Sequence, residues 1–210
     1  MIELIAIYAD LMSDELGKAA FDQRVLAAMQ RVPRHLFVPA QLASIAYQDS
    51  SLPIGFDKTV SQPFICALML DLLGPRTTDT VLEVGTGLGY LAAVLAELAA
   101  QIWSVEIVEE FGSEAELRLR QLGYRNVAVR IGDGSRGWAD HAPFDKVIVG
   151  AAAVHPPQAL LDQLKPGGRM VLPLGSDDAQ QLAAIDKTAS GELLTRHIIP
   201  VRFSRLETGG

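Results

Sequence analysis

The sequence is nearly without cysteine: Cys66 is the one thiol in 210 residues, which excludes an internal disulfide and a cysteine-built metal site and suits a reducing compartment. Long apolar runs are missing too. The most apolar stretches, 91–100 and 147–154, fall far short of the ~20 residues that a membrane-spanning helix needs. The first ten residues carry Glu3 but neither a basic leader nor a small-residue cleavage pattern, so no secretory signal and no membrane partner are expected, and the cytoplasm is the expected location. Basic charge is in deficit, with 18 Lys and Arg against 25 Asp and Glu, a net charge of −7 and a pI near 5.1. That balance lacks the electrostatic footprint of a nucleic-acid binder. His35, His141, His155 and His197 are scattered without metal-ligand spacing, so no metal is expected.

Neither an internal repeat nor a Pro/Gly/Ser linker divides the chain. With 49% hydrophobic residues and a mean hydropathy of +0.22, a chain of this length buries roughly 70% of its unfolded surface. One domain is expected, acting as a monomer: an N-terminal helical annex and active-site segment over 1–75, an α/β core over 76–175 and a C-terminal hairpin over 176–210. Helical spacing marks Phe21, Val25, Leu26 and Met29, and Ser61-Gln62-Pro63 opens an apolar helix that stops near Gly74-Pro75. Residues 32–60 read as mostly irregular. From Asp79 short apolar runs alternate with helical segments: strands at 80–84, 102–106, 127–131, 144–149 and 170–174, and helices over 88–99, 109–122 and 157–164. That alternation predicts a doubly wound, mostly parallel α/β sheet of Rossmann-like form. Residues 181–187 and 193–203, separated by Ser190-Gly191, read as an antiparallel hairpin on its edge.

The strongest local signal is Val81-Leu82-Glu83-Val84-Gly85-Thr86-Gly87-Leu88-Gly89-Tyr90, a strand running through three glycines into a helix. Such a turn lets the backbone approach a ligand closely and offers it the free N–H groups of a helix start. Dinucleotide folds prefer G-x-G-x-x-G. Here the spacing is G-x-G-x-G, and Glu83 stands two positions before the first glycine. A carboxylate there repels a pyrophosphate but suits the ammonium end of S-adenosylmethionine. Glu106, closing the next strand, is placed to accept both ribose hydroxyls. Asp133, between Gly132 and Gly134 after the third strand, is placed to accept from the adenine amine.

Together these residues resemble the class I S-adenosylmethionine-dependent methyltransferases, as does the turn Leu164-Lys165-Pro166-Gly167-Gly168-Arg169. More narrowly, the chain is similar to the protein-L-isoaspartate (D-aspartate) O-methyltransferase family from Arg24 to Leu206. The resemblance rests on Val32-Pro33-Arg34-His35-Leu36-Phe37-Val38-Pro39, Ala46-Tyr47-Gln48-Asp49, Leu52-Pro53-Ile54-Gly55 and above all Thr59-Val60-Ser61-Gln62-Pro63. It implies an active-site role for Ser61 and cofactor contacts from Gly85, Thr86, Gly87 and Gly89, with the ribose and adenine roles on Glu106 and Asp133; Thr59 is expected to aid Ser61, and Glu83 and Gly134 to join the cofactor site. It implies as substrate the free α-carboxylate of an isoaspartyl residue in an aged protein, with S-adenosylhomocysteine as product. Phe56-Asp57-Lys58, Gly150 and the tail from Val201 to Leu206 depart from the family pattern, on segments expected to frame the acceptor pocket. A related O-methyltransferase for a small-molecule or modified-peptide carboxylate, and a cofactor-binding module without turnover, are the alternatives.

The chemistry needs little acid–base machinery. A carboxylate, with a pKa near ~4, is ionised at neutral pH and needs no general base, so rate must come from orientation and exclusion of water. Ser61 is expected to hold one carboxylate oxygen and aim the other at the methyl group, and also to cap the helix that follows it.

Overall fold

The computed structural model describes residues 1–176 and 178–209. The chain opens with α1 (Ile2–Leu11), α2 (Ser13–Leu16) and α3 (Gln23–Arg31). In α3 the apolar spacing buries Val25, Leu26, Ala28 and Met29, and Asp22 caps the helix by accepting from the Arg24 N–H at 2.8 Å. Two 3₁₀ segments follow Pro33 and Pro39, at Arg34–Phe37 and Ala40–Ile45.

Residues 52–60 are not irregular, as the sequence predicts, but an antiparallel hairpin of β1 (Leu52–Gly55) and β2 (Lys58–Val60). Its turn is Phe56-Asp57, with φ of 50° and 55°. Tight hairpins want residues at positive φ, usually Gly or Asn; a Phe-Asp pair takes that conformation under strain and gives no turn signal in the sequence. Next comes α4 (Pro63–Leu73), begun by Pro63 and ended by Gly74 in the left-handed region.

The remainder alternates as expected: β3 (Thr80–Val84), α5 (Tyr90–Ala96), β4 (Gln101–Glu106), α6 (Glu109–Gln121), β5 (Val127–Ile131), β6 (Phe144–Val149), α7 (Gln158–Asp162), β7 (Leu164–Ser176), β8 (Ala179–Lys187) and β9 (Leu193–Val201). These strands form one sheet in the order β5-β4-β3-β6-β7-β8-β9. The first five are parallel, and β8 runs antiparallel to both its neighbours. The expected edge hairpin is therefore the outer part of a three-strand meander. Its inner strand starts early: the Leu164–Arg169 segment, read as a turn, is already ladder, because Leu164 pairs with Phe144 before a register shift.

Side chains on the two faces of the sheet feed two cores. Val81, Ile102, Ile148 and Val171 pack with α3, α4 and α5, whereas Leu82, Val84, Val105 and Val147 pack with Leu160 and Leu161 of α7. After β3 the chain builds outward through β4 and β5, then returns to place β6 on the other side of β3. The reversal opens a crevice beyond the carboxyl end of β3, which is where open α/β sheets bind ligands.

Candidate active site

A cavity of about 550 Å³ occupies that crevice, a volume suited to a cofactor-sized molecule. The sheet side of its wall is Val84 at the end of β3 with Gly85 and Gly87 beyond it, Glu106 at the end of β4 with Ile107 beyond it, Phe111 on α6, and Gly134, Gly150 and Ala151. The opposite side is Ile54, Lys58, Thr59, Ser61, Gln62 and Ile65, from the hairpin and the start of α4. Residues 200–207 close the third side.

The glycine turn is pinned to the next strand. The Gly85 N–H donates to Val105 O at 2.8 Å, with Gly85 at φ 91°, a conformation that a side chain strains. Glu106 accepts from the Gly87 N–H at 2.7 Å and from the Val108 N–H at 2.9 Å. Each carboxylate oxygen has a lone pair left, and the residue sits in the cavity wall. Gly134 is needed for a different reason: a Cβ on it would lie 2.4 Å from Val84 Cγ1.

The structure brings Thr59, Ser61, Gly85, Gly87, Glu106 and Gly134 around one cavity, but not Glu83, Thr86, Gly89 or Asp133. Gly89 ends the turn as the N-cap of α5. Thr86 and Glu83 lie beneath it, buried. Ser104 Oγ donates to Glu83 Oε2 at 2.5 Å and is also 2.5 Å from Thr86 Oγ1, while Glu83 Oε1 has no partner. Burial, against the Ser104 hydrogen bond and helped by the charge of Glu106, raises the Glu83 carboxyl to about 8. At neutral pH Glu83 is thus a protonated interior group, not the surface carboxylate expected for a cofactor ammonium. The Asp133 carboxylate is turned aside: Oδ1 accepts from the Ser135 N–H at 2.9 Å and the Ser135 hydroxyl at 2.6 Å, Arg136 stands 3.3 Å from Oδ2, and the tail residue Gly209 lies over it. Burial would raise its pKa, but the hydrogen bonds from Ser135 and the Gly209 N–H hold it below the usual range.

The state of Glu83 has a measurable sign. Folded, it keeps its proton up to about 8; unfolded, it ionises above its ordinary 4.5. The native state therefore binds more protons between those values, so its contribution is intact below the lower one and is lost as pH rises through the window. Glu83→Gln, which keeps the acceptor for Ser104 and removes the titration, is expected to match the parent near pH 5 and exceed its Tm at pH 8.5 by on the order of 5 °C. Equal pH slopes in thermal denaturation would refute this.

Ser61 is not the helix cap it was expected to be. Gln62 holds the N-cap position of α4, and the Phe64 N–H there is satisfied by Asp49 Oδ1 at 2.8 Å, with Gln62 Nε2 on Oδ2 at 2.6 Å. The Ser61 hydroxyl, lining the cavity, has no hydrogen-bond partner among the described residues and is left for a ligand. Sequence reasoning missed the rest of the roof. Lys58 pairs with Glu207 of the tail, Ser204 Oγ donates to Asp57 O at 3.2 Å, and Phe56 meets Phe111 edge-to-face at 5.3 Å. None of these pairs is close in sequence, and only the departures at Phe56–Lys58 and in the tail marked the segments involved.

Two solved structures share this fold. A protein-L-isoaspartate O-methyltransferase superposes with a TM-score of 0.83 at 26% identity, over 100% of this chain and 66% of that one. A Plasmodium falciparum structure, described as a putative protein-L-isoaspartate O-methyltransferase in complex with S-adenosyl-L-homocysteine, gives 0.77 at 22% identity, over 90% of this chain and 92% of its own. The doubly wound sheet, with a glycine turn and a strand-end carboxylate facing a cofactor-sized crevice, is that of a Rossmann-like, S-adenosylmethionine-dependent methyltransferase. Among sequence relatives, protein-L-isoaspartate O-methyltransferase 1 of Polaromonas sp. (strain JS666) is 56% identical over 207 residues, 99% of this chain and 88% of that protein. Protein-L-isoaspartate O-methyltransferase 2 of Syntrophobacter fumaroxidans is 52% identical over 211 residues, 100% of this chain and 85% of its own length. With residues 9–209 matched, the chain belongs to the protein-L-isoaspartate(D-aspartate) O-methyltransferase family.

Proposed function

We propose that this protein methylates the free α-carboxylate of L-isoaspartyl and D-aspartyl residues in damaged proteins. The observation that carries the reading is the unbonded Ser61 hydroxyl facing the same cavity as Glu106 and the glycine turn. The residues present fit S-adenosylmethionine: Gly85 and Gly87 offer open backbone, Glu106 has lone pairs for the ribose, and Ile107 and Phe111 give an apolar flank for a flat ring. Gly134 lines the wall beside them, Gly89 and Thr86 fix the turn, and Glu83 supports it from below through Ser104. Asp133, held by Ser135 and the Gly209 N–H, stands next to Gly134 at the end of the third strand.

When bound, the cofactor supplies an electrophilic methyl group on a sulfonium and is left as S-adenosylhomocysteine. Ser61 donates to one carboxylate oxygen and turns the other toward the sheet side of the cavity, with Thr59 beside it. The roof made by the hairpin and the tail keeps water from competing with that oxygen. No proton has to be removed from the acceptor, so no base is required. The resulting ester carries a better leaving group than the free acid; attack by the neighbouring backbone nitrogen expels methoxide and closes a succinimide, which water reopens partly to normal aspartate.

The protein acts as a cytoplasmic monomer on peptide chains, without nucleic acid or membrane. The −7 charge supports the part of this reading that excludes nucleic acid; among the described residues no helix is long and apolar enough to cross a membrane. Incubation with methyl-labelled cofactor and paired isoaspartyl and aspartyl peptides tests the reading: label is expected on the isoaspartyl peptide only. Label on neither peptide, with turnover on another carboxylate, would favour the related O-methyltransferase; tight S-adenosylhomocysteine binding with no methyl transfer to any aged-protein extract would leave a binding module.

A further inference from the structure

Arg34 stands directly behind Ser61 and has no role in the reaction as derived so far. Its side chain is completely buried. Nε donates to Ala46 O at 2.8 Å, Nη2 donates to Ser61 O at 2.6 Å, and Nη1 has no hydrogen-bond partner among the described residues. The guanidinium lies 4.7 Å from the centroid of the Tyr90 ring, and no carboxylate forms an ion pair with it among the described residues. Burial pushes both the Cys66 thiol and the Tyr90 phenol beside it upward, so both stay neutral, and the Asp49 carboxylate, whose charge reaches Cys66, is engaged by the Phe64 N–H and Gln62 Nε2 instead. An interior cation without an anion is costly to fold around. Tying one loop to another needs no charge, so this charge calls for a use.

The direction of the Ser61–Gln62 peptide supplies one. In a trans peptide the C=O and N–H point opposite ways. With the Ser61 carbonyl held on Arg34, the Gln62 N–H points away from the guanidinium, and Ser61 and Gln62 both line the cavity. Of the two positions that follow Gln62, Pro63 has no amide hydrogen and that of Phe64 is taken by Asp49. A cation on the carbonyl polarises the peptide and strengthens its N–H as a donor. A carboxylate presents two oxygens and is held best by two donors.

Resting on the function proposed above, we infer that Arg34 is a positioning residue: it fixes and polarises the Ser61–Gln62 peptide so that the Gln62 N–H joins the Ser61 hydroxyl as the second donor to the substrate carboxylate. Arginine suits this role because its planar fork reaches two carbonyls on separate segments in one fixed geometry, whereas lysine keeps the charge but as a compact point that does not reproduce that geometry.

A double-mutant cycle on the full chain tests this, using R34K, S61A and R34K/S61A, methyl transfer to an isoaspartyl peptide, and S-adenosylhomocysteine affinity by calorimetry. R34K is expected to lose about 20-fold in kcat/KM with cofactor affinity within about twofold, and the double variant to be within about twofold of S61A, because the two residues act as one unit. Near-parental activity in R34K, losses that multiply in the double variant, or cofactor affinity falling in step with activity would each overturn the inference. If R34K does not fold, Arg34→Gly with added guanidinium replaces it, and recovery of activity is expected; no recovery counts against the inference. Absence of labelling by the parent protein is a separate result, and sinks the proposed function instead.

Discussion

Ser61→Ala is expected to lower kcat/KM for an isoaspartyl peptide by about two orders of magnitude, the usual consequence of removing one preorganised donor from a site that water does not reach. The structure separates this from a folding effect. The Ser61 hydroxyl bonds nothing among the described residues, and the start of α4 is closed by Asp49 on the Phe64 N–H, so the Tm should stay within about 2 °C of the parent where loss of a true cap would lower it further. Steady-state kinetics with calorimetric S-adenosylhomocysteine binding provides the check. A variant that keeps its kcat/KM removes Ser61 from the reaction; one that loses cofactor affinity instead moves its role to the other side of the cavity.

The second large effect belongs to Glu106. Its two oxygens already hold the Gly87 and Val108 N–H groups, so the carboxylate shapes the glycine turn as well as offering acceptors to a ribose. Glu106→Ala removes both functions. Hydrogen bonds to a charged group contribute about 1.5–3 kcal/mol each, so losing the pair to the two hydroxyls should weaken S-adenosylhomocysteine by about 100-fold or more. Glu106→Gln should fall between, since its amide places a donor against an N–H that needs an acceptor. Weakening of less than about tenfold in the alanine variant would take the ribose role away from Glu106.

The parts of the fold legible in the sequence were those governed by local periodicity. The alternation from Thr80 to Val149 and the glycine turn after β3 are written in short stretches of chain, and they appear in the structure with boundaries shifted by few residues. What failed to show depends on contacts between distant segments. The β1–β2 hairpin was hidden because Phe56-Asp57 takes a conformation that neither residue advertises. The cap of α4 was assigned to the nearest hydroxyl, Ser61, when the acceptor comes from Asp49. Glu83 was read as a charged ligand because the sequence does not reveal how dry its surroundings are; its proton is a consequence of burial on a sheet face covered by α4 and α5. Asp133 sits where the third strand was expected to put it, but nothing local to it reveals the tail lying across it.

The cavity is made of two kinds of material. Its donor side is cut from the ends of β3 and β4, central strands that cannot change without disturbing the whole sheet. Its other side is carried by the small β1–β2 hairpin with the start of α4, and by the stretch after β9, which lies outside the strands of the sheet and bridges to Ala152. Evolution can therefore retune which aged peptides are accepted, by editing Phe56, Asp57, Lys58 or the stretch from Arg202 to Glu207, while the cofactor apparatus is inherited intact. Duplicated copies within one genome would be expected to diverge first at those few marginal positions.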